Sequence, residues 1–199
     1  MADILFGVVK DNVDPEGLGR VTVALADHGE EVVLPWIRVV QPIASADAGM
    51  IWLPEIDDNV VVLAGGRGLE SMLVLGSVYS GNRKPPGEAK VEHKHILTAG
   101  GNEILIDDTE GSELIKINTK DGAIEILLDN ATPEITITAG ENLTINANSA
   151  VTVNASDVDV AASGSVTIKG DSSVKVEGGS VEVKSSGTVK VSGSMVELG

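Results

Sequence analysis

The sequence contains no cysteine, which excludes disulfide bonds and thiol chemistry. Only four of its 199 residues are aromatic, and 14 Lys and Arg face 30 Asp and Glu, for a net charge of −16. An acidic chain with few aromatics suits neither nucleic-acid phosphates nor anionic membranes, so we predict no nucleic-acid binding. No run of apolar residues is long enough to span a bilayer, and the start lacks the features of a signal peptide. We therefore expect a soluble protein made in the cytosol.

Helical periodicity is also scarce, and the sequence is instead rich in short aliphatic pairs spaced i, i+2. Such a pair places two side chains on one face of a strand, and polar or glycine spacers can turn the chain after it. The class is therefore predicted to be all-β, with nine very short strands that recur every seven or eight residues. The pairs are Ile135/Ile137, Leu143/Ile145, Val151/Val153, Val158/Val160, Val166/Ile168, Val174/Val176, Val181/Val183, Val189/Val191 and Val196/Leu198.

An isolated ribbon of these strands would leave one apolar face open and its edges unpaired. Two architectures would cover this apolar face and pair these edges. One chain could coil on itself with three strands per rung, or three identical chains could wind together with their aliphatic residues on a common axis. The residues themselves leave both open.

Residues 1–80 are predicted to form a separate small barrel. All four aromatic residues, Phe6, Trp36, Trp52 and Tyr79, fall here, and we expect them in its core. Strand lengths and turn spacing suggest a Greek-key barrel such as an OB-fold. The candidate strands are Ile4–Val9, Arg20–Ala26, Val32–Val40, Met50–Leu53, Val60–Leu63 and Met72–Tyr79.

Four short motifs in this segment resemble the OB-fold of contractile-injection spike proteins. That group includes baseplate assembly protein V of contractile-tailed phages and the spike part of the valine-glycine-repeat proteins of type VI secretion. The motifs are Asp14-Pro15-x-Gly17-x-Gly19-Arg20-Val21-x-Val23, then Pro35-Trp36, then Leu53-Pro54-Glu55-Ile56-x-Asp58-x-Val60-Val61-Val62, then Leu75-Gly76-Ser77-Val78-Tyr79 followed by Pro85-Pro86.

The resemblance implies a homotrimer in which three OB-folds form a collar and three C-terminal segments intertwine into a triple-stranded β-helix. On this basis residues 1–80 are the collar and 81–95 a linker. Residues 96–130 are a wider three-stranded β-meander that closes a prism, and 131–199 are the needle.

The function implied is a structural spike that pierces membranes and is not an enzyme. It would dock a separate baseplate hub protein at the barrel and contact the target cell envelope only transiently. A tip protein of the PAAR-repeat kind would dock at Val196, Glu197, Leu198 and Gly199. Made in the bacterial cytoplasm, it would end in a phage tail baseplate or an extracellular contractile particle. The alternatives are a trimeric receptor- or glycan-binding fibre and, further off, a polysaccharide-degrading tailspike.

His93 and His95 are the candidate metal ligands. Their i, i+2 spacing points both imidazoles to one face, and threefold symmetry would bring six to an axis, enough for an octahedral ion. In iron-tipped relatives, however, the His-x-His motif lies near the point of the needle, whereas here it follows a proline linker at the opposite end. We therefore expect solvated linker histidines and no cofactor, with an ion buried on the threefold axis as the alternative.

Overall fold

The computed structural model describes residues 2–25, 32–66 and 68–197. These residues form ten β-strands and two short 3-10 turns, with no α-helix among them. None of the described segments is a helix that could cross a lipid bilayer. The all-β prediction is confirmed.

The first five strands form a closed barrel in the order β1-β2-β3-β5-β4, in which β3 and β5 run parallel. This closed barrel confirms the predicted N-terminal OB-fold. Met50–Leu53, predicted as a sixth strand, lies in the long connection between β3 and β4 and is not part of the barrel wall. The strands are β1 (Asp3–Asp11), β2 (Arg20–Leu25), β3 (Val32–Val39), β4 (Asn59–Ala64) and β5 (Met72–Ser77).

The barrel core is aliphatic, which corrects the expectation of an aromatic core. Phe6, Trp52 and Tyr79 are 50–66% exposed and Trp36 is half-buried. A five-stranded barrel has a narrow interior that β-branched side chains fill, so the larger rings lie outside it. The buried core residues are Val9, Val21, Val23, Leu34, Ile37, Val60, Val62 and Val74.

Two local features allow the barrel to close. A Cβ atom on Gly7 would lie 2.4 Å from Val23 Cγ1 and 2.7 Å from the Ala24 carbonyl oxygen, so β1 can approach β2 only with glycine at this position. Pro35 lies where the pairing of β3 with β2 shifts register, and there its missing N–H breaks no regular ladder.

The segment after the barrel is anchored to it. Arg83 Nη1 donates to Asp58 Oδ1 at 3.0 Å and Nη2 donates to the Ile56 carbonyl at 3.0 Å, while Asn59 Nδ2 donates to Ser80 Oγ at 3.2 Å. The start of the predicted linker is therefore fixed to the connection between β3 and β4. The barrel and the sheet that follows belong to one compact unit, residues 1–144.

The second sheet is an antiparallel meander of five strands in the order β10-β9-β8-β7-β6. The three strands predicted within 96–130 are present, but one more strand flanks them on each side. The first begins inside the predicted linker 81–95 and contains both histidines, and the last lies inside the predicted needle 131–199 and contains Ile135 and Ile137. The strands are β6 (His93–Leu97), β7 (Glu103–Asp107), β8 (Leu114–Asn118), β9 (Ile124–Asp129) and β10 (Glu134–Ala139).

Residues 145–199 form the second unit. Up to residue 197, where the description ends, this unit contains no strand. Of the nine predicted short strands, only the one that carries Ile135 and Ile137 forms within the described part of the single chain. A strand needs a partner for its backbone groups, and the described residues supply none here.

Candidate assembly surface

One face of the second sheet is lined by aliphatic side chains and lies open. The register of the five strands places these side chains in two columns that run across the sheet. Column A contains Ile106, Ile115, Leu128 and Ile135, and column B contains Ile96, Ile104, Ile117, Ile126 and Ile137. We call these nine residues the aliphatic face.

Each residue of the aliphatic face is between 37% and 70% exposed in the single chain. On β6 the residue in register with column A is Lys94, and its charged side chain pairs with Asp108. Soluble proteins rarely expose a contiguous apolar patch of this kind unless another surface covers it. The aliphatic face is therefore a candidate interface.

The opposite face of the sheet is mostly polar and carries an ionic network. Glu103 lies between Lys116 and His95: its Oε2 is 2.7 Å from Lys116 Nζ and its Oε1 is 2.7 Å from His95 Nε2. Lys116 in particular, and His95 to a smaller degree, lower the pKa of Glu103 below its usual value. His93 Nε2 lies 3.2 Å from Asp107 Oδ2. These contacts join β6, β7 and β8 on the face away from the aliphatic columns.

The two candidate metal ligands therefore lie in a strand, which corrects the expectation of solvated linker residues. The side chains of His93 and His95 are 20% and 14% exposed, and each faces a carboxylate on β7. The alternation of His93 and His95 with Lys94 and Ile96 was the signal for a strand that the sequence analysis missed. In the part of the chain that the structure describes, no group of three or more His, Asp and Glu side chains is placed to hold a metal ion.

The later aliphatic pairs are even more exposed than the aliphatic face. From Leu143 to Val196 each member is 50–75% exposed. The residue between the two members of a pair is polar in every case, as in Val174-Lys175-Val176 and Val181-Glu182-Val183. Each pair therefore repeats the pattern of β10, where Thr136 separates the column A residue Ile135 from the column B residue Ile137.

Of the four residues predicted to dock a tip protein, two are described. Val196 is 50% exposed and Glu197 is exposed. Leu198 and Gly199 lie outside the described residues.

The barrel has an apolar patch on its outer wall. Ile4, Leu63 and Leu73 are paired across β1, β4 and β5, and Phe6 pairs with Val61 in the next row. Their inward-facing neighbours on each strand form the core, so these side chains point outward. Ile4 is 64% exposed and Phe6 is 52% exposed. We call these five residues the barrel patch.

The loop between β1 and β2 is held by one buried carboxylate. Asp14 accepts hydrogen bonds from the backbone N–H groups of Glu16, Leu18 and Arg20 at 3.1–3.2 Å. Arg20 Nε and Nη2 each donate to it at 2.8 Å. The hydrogen bonds from the Arg20 side chain contribute most, and together with the backbone bonds they hold the pKa of Asp14 well below its usual value. Gly17 turns the loop back with a φ of +67°, which favours glycine. The Asp-Pro-x-Gly-x-Gly-Arg motif therefore holds the loop closed through an ion pair and backbone hydrogen bonds to Asp14.

Comparison with known proteins gives one family. Residues 5–79 match the family model described as the type VI secretion system/phage-baseplate injector OB domain. The match begins in β1 and ends two residues after β5, so it covers the whole barrel. No curated protein matches the chain.

Proposed function

We propose that the protein is the central spike of a type VI secretion system or phage-baseplate injector, assembled from three copies of the chain. The premise is the match of residues 5–79 to the OB-domain family model of such injectors. The observation that carries the proposal is the aliphatic face, which is continuous across five strands and left uncovered by the described residues of the single chain. In this proposal the chain is a structural component and not an enzyme.

The dimensions of the second sheet favour a triangular prism. Five residues at about 3.3 Å span roughly 17 Å, and a triangle of that side has an inscribed radius of roughly 5 Å. Isoleucine and leucine side chains fill such a space. If the fifteen strands of three copies instead ran upright around a barrel, the lumen would be too wide for aliphatic side chains to fill. We therefore propose that each sheet forms one wall, with columns A and B facing the threefold axis.

The later pairs would extend this kind of core as a needle. Each pair offers one residue for each of two columns, as Ile135 and Ile137 do in β10. Pairing between chains would supply the backbone hydrogen bonds that the described single chain lacks, in the predicted intertwined triple-stranded β-helix. Eight strands at about 4.7 Å would give a needle of roughly 38 Å beyond β10. Driven by sheath contraction, it would pierce the target envelope.

This arrangement places the ionic network on the outside of the prism. His93 and His95 lie on the face opposite columns A and B, so they would not meet at the axis. An ion on the threefold axis, if one is bound, would have to be held by other residues.

The barrel patch supports a hub contact. It is apolar, its residues Ile4 and Phe6 are more than half exposed, and it lies on the domain that matches the injector family. We propose that the hub protein of the baseplate binds the barrel through this surface. The assembled particle would then be a phage tail baseplate or a related contractile injector.

The mass of the protein in solution tests the trimer. We expect light scattering to give three times the mass of the 20.5 kDa chain at micromolar concentration. A well-folded single chain at that concentration would contradict the proposal, because its aliphatic face would then have no partner.

The proposed tip contact has its own test. Deletion of residues 196–199 removes the last aliphatic pair and should abolish binding of a PAAR-repeat protein from the same particle, while the three-chain mass persists. The matched control exchanges the residue between the two members of an earlier pair, Glu182→Gln, and should leave binding within a few-fold of the original. Tip binding that survives the deletion would place the contact elsewhere.

A further inference from the structure

Trp52 is held in a fixed position although it lies in a long loop. Its backbone N–H donates to Gln41 Oε1 at 2.9 Å, and Gln41 Nε2 donates to the Trp52 carbonyl at 3.3 Å. The Gln41 side-chain amide thus forms hydrogen bonds with both the N–H and the carbonyl of the Trp52 backbone. The backbone of Trp52 is therefore tied to Gln41, which lies two residues after the end of β3.

The indole borders a cavity on the aliphatic face of the second sheet. The cavity measures about 430 Å³, and its wall is formed mainly by Trp52, Ile96, Ile104, Ile117, Ile124 and Ile126. Water gains few hydrogen bonds in a cavity with such a wall, so an apolar group is the favoured occupant. The indole itself is only half-buried, at 50% exposure.

The residues that line the cavity indicate which molecule closes it. Four of its aliphatic residues, Ile96, Ile104, Ile117 and Ile126, belong to column B, so the cavity is continuous with the aliphatic face. A partner for this surface must offer apolar side chains without charge. The aliphatic face of a second copy meets that requirement, since its two columns consist of isoleucine and leucine alone.

We infer that Trp52 is an interface residue between copies, at which the barrel of one chain and the aliphatic face of a neighbouring copy enclose the indole. The inference rests on the proposed trimer. It adds that the barrel takes part in the shared core, so that assembly fixes the barrel relative to the walls of the prism. Gln41 acts as the positioning residue that presents the indole.

Fluorescence tests this inference because the chain has only two tryptophans. The Trp36→Phe variant leaves Trp52 as the single strong emitter. In the three-chain assembly we expect blue-shifted emission and acrylamide quenching several-fold weaker than in the same variant dissociated by an added Ile137→Asp exchange. Light scattering of each sample gives its mass alongside the spectra.

A second measurement guards against a folding defect in Trp36→Phe. Since the chain has no cysteine, Trp52→Cys introduces a single thiol whose rate of modification reports exposure at this position. We expect slow modification in the assembly and fast modification after dissociation, with Ser45→Cys as an exposed control that reacts fast in both.

The two measurements separate the inference from the trimer on which it rests. A three-chain mass, together with a fully quenchable Trp52 and a fast-reacting thiol in the Trp52→Cys variant, would overturn the inference and leave the trimer intact. A single-chain mass for the unaltered protein would overturn both.

Discussion

Replacing Ile137 by aspartate is expected to convert the three-chain assembly into single chains at micromolar concentration. Ile137 is the last residue of column B, and in the proposed prism three copies of it face one axis. An unpaired carboxylate in such a core costs at least about 3 kcal/mol per chain, or roughly 9 kcal/mol for three. That corresponds to a factor of about a million in the association constant. Light scattering across a dilution series measures the change.

The neighbouring residue provides a matched control. Thr138 is exposed and lies one position further along β10, so its side chain points to the opposite, polar face. Thr138→Asp introduces the same charge at nearly the same place and should leave the mass of the assembly unchanged. Equal effects of the two exchanges would mean that the aliphatic face is not the interface.

Replacing Asp14 by asparagine is expected to destabilise the barrel strongly. The Asp14 carboxylate is 3% exposed and accepts five hydrogen bonds, two of them from the Arg20 guanidinium. Asparagine cannot accept both bonds from Arg20, and it leaves that cation without its main partner. We expect the midpoint of thermal unfolding to fall by at least about 5 °C. Glu16→Gln, which removes a largely exposed partner of Arg20, should change the midpoint far less.

The same carboxylate gives the barrel a defined dependence on pH. The pKa of Asp14 is depressed in the folded protein, whereas in the unfolded chain it returns to about 3.8. The stabilisation is therefore complete above the unfolded value and is lost as the pH falls from about 4 towards the folded pKa. Asp14→Asn lacks this contribution, so the difference in stability between the two proteins should shrink as the pH falls from about 5 to about 2. A constant difference would contradict the assigned ion pair. Urea titrations at each pH provide the measurement.

The barrel was predictable because its signals are local. The motif at Asp14 to Arg20 closes a loop through bonds within six residues, and the alternation in β1 and β4 follows from the chain itself. The placement of Trp52 and Phe6 outside the core was not predictable in this way, since it depends on the interior width of the closed barrel. Local chemistry identified the strands and the barrel geometry selected which residues are buried.

The second sheet was harder to predict than the barrel, because its arrangement depends on contacts between strands that are distant in sequence. The i, i+2 pairs were visible in the sequence, but their assignment to a five-stranded sheet depended on which strands pair. The strand at His93 and His95 was hard to predict because two ionisable side chains so close to a proline linker are more typical of an exposed connection than of a strand. Glu103 and Lys116, whose charges make that placement favourable, are distant from the histidines in sequence. No local pattern connects them.

The exposed pairs between Leu143 and Val196 also have a consequence for biosynthesis. In the proposed trimer, the segment that carries these pairs would form its strands only together with two other chains, so maturation should slow as the cellular concentration falls. Until then, Lys175, Glu182 and Lys190 place a charge inside aliphatic pairs that would otherwise favour aggregation. Renaturation from urea should accordingly show a fast phase independent of protein concentration and a slow phase of higher kinetic order.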